Sequence, residues 1–160
     1  MYILYTEHSV LNYGSIIKIK NFMLFIPKRT KFRKQQKGRN FNFINKVETL
    51  ETLKHGIVGL KAINSGRITA NHIVACRQCM NKILKKTGQI KVNIIADTPI
   101  TKKPIEIRMG KGKGSVDHWI SKVSSGTIIF EIETNSKILA IKALKAAQIK
   151  LPINTTIISE

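Results

Sequence analysis

Two segments of the chain repeat apolar residues at a helical period, and several shorter ones alternate or run apolar like strands. The first helix is expected over about residues 70–87. Ile73, Cys76, Met80, Ile83 and Leu84 form one stripe, with Arg77, Gln78, Asn81, Lys82 and Lys85 on the other side. Thr69 suits the N-cap, because its hydroxyl can accept from an unpaired amide of the first turn. Gly88 suits the residue after the helix, where a left-handed backbone is common. A second helix starts at Asn135 or Ser136 and runs to about Gln148. Leu139, Ala140, Ala143, Leu144 and Ala147 make its buried stripe, and Lys137, Lys142 and Lys145 stay outside. Leu151-Pro152 ends it.

Strand-like stretches lie at residues 56–63 (GIVGLKAI), 91–95, 104–109, 116–123, 127–133 (TIIFEIE) and 154–159. In 104–109, Ile105, Ile107 and Met109 are expected on one face and Glu106 and Arg108 on the other. Turns are expected at Asn64-Ser65-Gly66, Asp97-Thr98-Pro99 and Ser124-Ser125-Gly126. The mix gives an α+β fold, a mostly antiparallel sheet with two helices on one face. A basic N-terminal arm and a glycine-rich hairpin loop are added to it. Residues 1–26 read as an extension, and 27–160 as a single domain containing the arm at 28–40 and the loop at 108–115.

Charge changes this picture from a plain domain to a binder. The 160 residues carry a formal net charge of +19, which is costly for a compact chain standing alone. A polyanionic partner, nucleic acid first and an anionic membrane surface second, would neutralise it. No apolar run reaches the roughly 18 residues of a spanning helix. The N-terminus lacks the apolar block and small-residue cleavage site of a secretory signal, and no Arg precedes Arg29, unlike a transit peptide.

The cations concentrate in two places. Residues 28–39, KRTKFRKQQKGR, hold seven of them and no acid: Lys28, Arg29, Lys31, Arg33, Lys34, Lys37 and Arg39. This is either a solvated tail or an arm that orders on RNA by neutralising phosphates. Phe32 is available to stack or to anchor it. The second place is residues 107–119, IRMGKGKGSVDHW, where Gly110, Gly112 and Gly114 alternate with Lys111 and Lys113 after Arg108. Its flanks read as strands, so it is a cationic hairpin tip. A nucleotide-binding loop needs a helix N-terminus to receive the phosphates, and Gly114 follows Lys113 where Ser or Thr is required. Glycines let backbone amides approach phosphate oxygens, the lysines add point charges, and Arg108 adds a planar fork. Arg67 and Arg77 extend the candidate RNA-binding set, because no acid lies between Arg67 and Lys91.

Catalytic and metal chemistry find little footing. Cys76 and Cys79 make one CxxC, short of the four ligands of a structural zinc site, and the pair lies mid-helix. Core-facing small residues explain them better than redox or metal chemistry does. His8, His55, His72 and His118 show no paired ligand spacing. Asp117 and His118 are adjacent, but strand alternation sends them to opposite faces, which argues against a catalytic pair. No metal, cofactor or catalytic residue is expected.

With these residues in view, the chain resembles large-subunit ribosomal protein sixteen of the bacterial and organellar type. The matching segments are PKRTKFRKQQKGRN (27–40), GLKAI (59–63), SGRITA (65–70), DTPITKKPIEIRMGKGKG (97–114), Trp119, GTIIFEIE (126–133) and KLPINTT (150–156). Residues 1–26 have no counterpart in the short bacterial form. The resemblance implies an α+β fold bound to large-subunit rRNA beside the aminoacyl- and peptidyl-tRNA sites. It implies an arm packed into rRNA and a loop pointing toward tRNA. It further implies neighbouring ribosomal proteins as partners, a part in late subunit assembly, and no catalytic activity.

The expected function is therefore a structural rRNA-binding protein of the large ribosomal subunit. A bias toward Ile, Asn and Lys fits AT-rich organellar coding, and the missing transit peptide fits synthesis inside an organelle and a bacterial or plastid origin equally well; a mitochondrial ribosome is the expectation, with a plastid or the bacterial cytoplasm as the alternative. The competing classes are a free-standing RNA chaperone or RNA-modifying enzyme, and a membrane-surface protein. The first lacks a catalytic cluster. The second would place its cations along one amphipathic helix face instead of in an arm and a loop.

Overall fold

The computed structural model describes residues 27, 29–36, 38, 53–85 and 87–159. Of residues 40–55, between the arm and the first expected strand, only 53–55 fall among them. Among the described residues, seven strands and two helices follow in the order β1 (Val58–Ala62), β2 (Gly66–Thr69), α1 (Ala70–Leu84), β3 (Gly88–Val92), β4 (Thr98–Lys102), β5 (Ser115–Val123), β6 (Ile128–Thr134), α2 (Lys137–Gln148) and β7 (Thr155–Ser159). The fold is α+β, as the periodicities predict. The strands form two sheets, ordered β3-β6-β1-β7 and β2-β5-β4, in which neighbours run antiparallel. The helices pack on each other; α2 also lies against β1, β6 and β7, and α1 against β2, β3 and β5.

The first sheet and the helix pair enclose the core. Val58, Leu60, Phe130, Ile132, Ile73, Met80 and Leu144 are fully buried there. Both predicted helical stripes face inward, although Ile83 is only partly buried and Leu139 is exposed. The start of α1 is fixed by a reciprocal cap. Thr69 Oγ1 accepts from the His72 amide at 3.3 Å, and His72 Nδ1 accepts from the Thr69 amide at 3.4 Å. The helix stops three residues short of the expected Thr87. Lys85 takes the left-handed conformation itself, with φ of 45°, so Gly88 is free to open β3. At the far end of α2, Gln148 Nε2 donates to the Thr155 carbonyl at 2.7 Å and ties the helix to β7.

Three strand assignments need correction. The strand expected at 91–95 lies earlier, at Gly88–Val92, and Ile95 beyond it is exposed. The Asp97-Thr98-Pro99 turn is instead the start of β4. Pro99 is tolerated because β4 is the outer strand of its sheet, where one edge needs no donors. The strand expected at 104–109 is absent. Ile105 is 97% exposed and Met109 100% exposed, so the apolar alternation there has no facing partner among the described residues. β2 went unseen because only Ile68 of its four residues is buried.

Candidate nucleic-acid interface

β4 and β5 form the predicted hairpin, with Lys102 opposite Ser115 at its mouth and residues 103–114 as its tip. The tip is longer than the glycine run alone because the expected strand at 104–109 joined it. Gly110, Lys111 and Gly112 hold successive left-handed angles, with φ of 100°, 51° and 89°. An L side chain at either glycine would be strained there, although a Cβ would meet nothing within 4 Å. Open space beside bare backbone is what a phosphate needs to reach an amide. Gly114 has a different role. A Cβ there would come within 2.5 Å of the Lys102 carbonyl oxygen, so glycine permits the hairpin to close.

Lysine ammonium groups brace the tip. Lys103 Nζ donates to the Gly110 carbonyl at 2.6 Å. Lys113 Nζ donates to the Gln35 carbonyl at 2.5 Å, and Lys34 Nζ donates to the Lys113 carbonyl at 2.9 Å. The arm and the loop, 79 residues apart at that bond, therefore touch. Arg67, on β2, donates to the Gly38 carbonyl at 3.2 Å and holds the arm to the body. Phe32 does not anchor the arm. It is 62% exposed, with Lys31 Nζ 5.5 Å from its ring centroid.

Of the candidate RNA-binding residues, Arg29, Lys31, Arg33 and Lys34 of the arm and Arg108, Lys111 and Lys113 of the loop are exposed. The bonds at Lys34, Lys113 and Arg67 join the two segments to each other and to β2. Arg77 stands half-buried on α1, in neither the arm nor the loop. Lys28, Lys37 and Arg39 lie outside the described residues.

Sequence reasoning missed three features here, the first being the bonds that join arm and loop. Lys103 gave no signal, because a lysine bonded to its own loop looks like any other. Asp117 and His118 do meet, with Nδ1 2.9 Å from Oδ2, contrary to the expectation of opposite faces. The register between β4 and β5 slips between Ile100 and Thr101, which leaves Asp117 without a partner. At such a bulge the strict alternation of side chains fails. Both residues are exposed at the base of the hairpin.

The cysteines sort by position. Cys76 is fully buried in the core, and its thiol reaches the Ala147 carbonyl at 3.6 Å. Burial first, and Cys79 second, push its pKa up to about 12, with Lys150 acting in the opposite direction. Such a thiol holds its proton and is a poor nucleophile. Among the described residues no group of three or more His, Cys, Asp or Glu side chains gathers as a metal site. No helix among them is long and apolar enough to cross a membrane.

The family described as ribosomal protein L16p/L10e matches residues 27–158, from the arm through β7. A Dichelobacter nodosus protein named large ribosomal subunit protein uL16 is 45% identical over 130 residues, covering 81% of this chain and 93% of its own length. Proteins of the same name from Wigglesworthia glossinidia brevipalpis and Alkalilimnicola ehrlichii are each 46% identical, over 134 and 132 residues. They cover 84% and 82% of this chain and 96% and 94% of their own lengths. Arm, hairpin and core thus fall within one shared segment, and the chain belongs to the ribosomal protein L16p/L10e family.

Proposed function

We propose that this chain is a structural constituent of the large ribosomal subunit, binding its rRNA through the arm and the hairpin tip. In this reading the chain performs no catalytic step. The observation that carries it is the union of the two cation-rich, acid-poor segments by direct hydrogen bonds, in a chain of this family. Neighbouring exposed cations held in one place can neutralise adjacent phosphates and release their counterions together. Arg29, Arg33, Arg108 and Lys111 supply charge, and the bare backbone around Gly110 and Gly112 supplies amides.

In this reading the arm and the flank of the hairpin tip contact rRNA, and the tip also reaches toward tRNA. Lys28, Lys37, Arg39 and Arg77 belong to the proposed RNA-binding set on sequence grounds. Residues 27–160 act in this reading as a single RNA-binding domain, with 1–26 as an extension. The named relatives are bacterial, which supports a bacterial-type large subunit and lends nothing to the mitochondrial assignment.

The test is sedimentation. The tagged full chain, expressed in a bacterial host, is expected to run with large subunits and to stay there after a high-salt wash. Recovery in the soluble fraction alone would overturn the reading in favour of a free RNA-binding protein.

A further inference from the structure

We propose that Lys34 and Lys113 form a latch that joins the arm to the loop, so that Lys113 is a positioning residue and not one of the phosphate contacts. The inference rests on the RNA-binding reading and divides its lysines by role. Each of the two ammonium groups donates to main chain on the other segment: Lys34 to the Lys113 carbonyl at 2.9 Å, and Lys113 to the Gln35 carbonyl at 2.5 Å. An ammonium bonded to a main-chain carbonyl on the other segment is held in place and commits one of its three donors within the chain. Lys111, two residues earlier, lies exposed in the left-handed run between Gly110 and Gly112.

The physical need for a latch follows from the same glycines. A segment with left-handed angles at 110, 111 and 112 and open space around it has little to restrain it. Ordering a backbone residue on binding costs free energy for every residue fixed. Bonds from the arm confine the loop before RNA arrives, and Lys103 on the Gly110 carbonyl confines it from within. Arg67 on the Gly38 carbonyl then connects the latched pair to β2. The two RNA-binding segments dock as one unit.

The experiment has two arms, both on the full chain. In the free protein, 15N relaxation reads the backbone order of Gly110, Gly112 and Gly114. Lys34→Ala is expected to drop their order parameters below about 0.6, the flexible range. Lys34→Arg, which keeps a charged donor, and Lys31→Ala, which removes an arm cation outside the latch, are expected to leave them at the wild-type value. Unchanged loop order in Lys34→Ala would overturn the latch.

In the second arm, binding to a transcript of bacterial large-subunit rRNA is followed against salt. Lys111→Ala is expected to reduce the slope of log affinity against log salt by about one. Lys113→Ala is expected to weaken binding at every salt concentration with the slope unchanged. A slope reduced equally by both would make Lys113 a phosphate contact and overturn its positioning role. Wild-type binding that ignored salt would instead sink the RNA-binding reading, while the relaxation arm would still decide the latch.

Discussion

β6 and the hairpin tip carry almost the same words. One reads Phe130-Glu131-Ile132-Glu133 and the other Ile105-Glu106-Ile107-Arg108. In β6 the first three residues are at most 1% exposed; in the tip Ile105 is 97% and Ile107 54% exposed. The difference lies in the neighbours. β6 is paired on both edges, by β1 and β3, and is covered by α2. The tip has left the ladder at Lys102 and Ser115 and, among the described residues, has no strand beside it. Alternation of apolar and charged residues describes what a strand can do once partners arrive. The pattern does not supply the partners. The same four-residue pattern thus builds the core at one site and stands free beside a cationic surface at the other.

The sharpest break of this comparison is in stability. Phe130→Ala should cost about 3–5 kcal/mol, since it empties a fully enclosed site. Ile105→Ala should change stability by less than about 0.5 kcal/mol. Denaturant midpoints of the two variants measure this, and a large loss at Ile105 would show that the tip packs on something.

The two glutamates should part next. Glu131 is buried, yet both its oxygens are satisfied. Oε2 accepts from the His55 amide at 2.7 Å and Oε1 from Asn93 Nδ2 at 2.6 Å. Glu131→Ala strands both donors and should cost about 1–3 kcal/mol. The same change at exposed Glu106 should be silent in the same denaturation experiment.

A pH-dependent effect on stability reports on the dryness of the core behind these strands. The Cys76 thiol, pushed up to about 12, keeps its proton in the fold where the unfolded chain would lose it from about pH 8.5. Its contribution is therefore full below about pH 8.5 and is lost as pH rises toward 12. The slope reaches at most about 1.4 kcal/mol per pH unit. Stability of Cys76→Ala should fall less steeply over pH 9–11 than that of the wild type. Parallel curves would mean that water reaches the thiol.

What the sequence made legible follows the same division. Where apolar residues repeat over two or more turns against a shared core, as in α1 and α2, the period alone places the helix. The end of α1 was misjudged because Lys85, not a glycine, takes the left-handed angle. The register slip at Ile100/Thr101 leaves no mark on composition, so the Asp117–His118 contact was not readable. The hairpin tip and the cationic arm were readable, because glycine and charge runs are local signals. Their joining was not, because a lysine that bonds a carbonyl 79 residues away has the same letter as one that faces water.

Charge, like hydrophobic pattern, matters here by its place. The tip presents Arg108 and Lys111, and the outer face of α2 presents Lys142 and Lys145, with the same formal charge. The most direct measurement is the salt dependence of binding to large-subunit rRNA for the two double variants. Arg108→Ala/Lys111→Ala should lower affinity and reduce the log–log salt slope by about two. Lys142→Ala/Lys145→Ala should leave both close to the wild-type values. Equal losses from the two variants would contradict a defined RNA surface and leave only a basic protein attracted by its net charge.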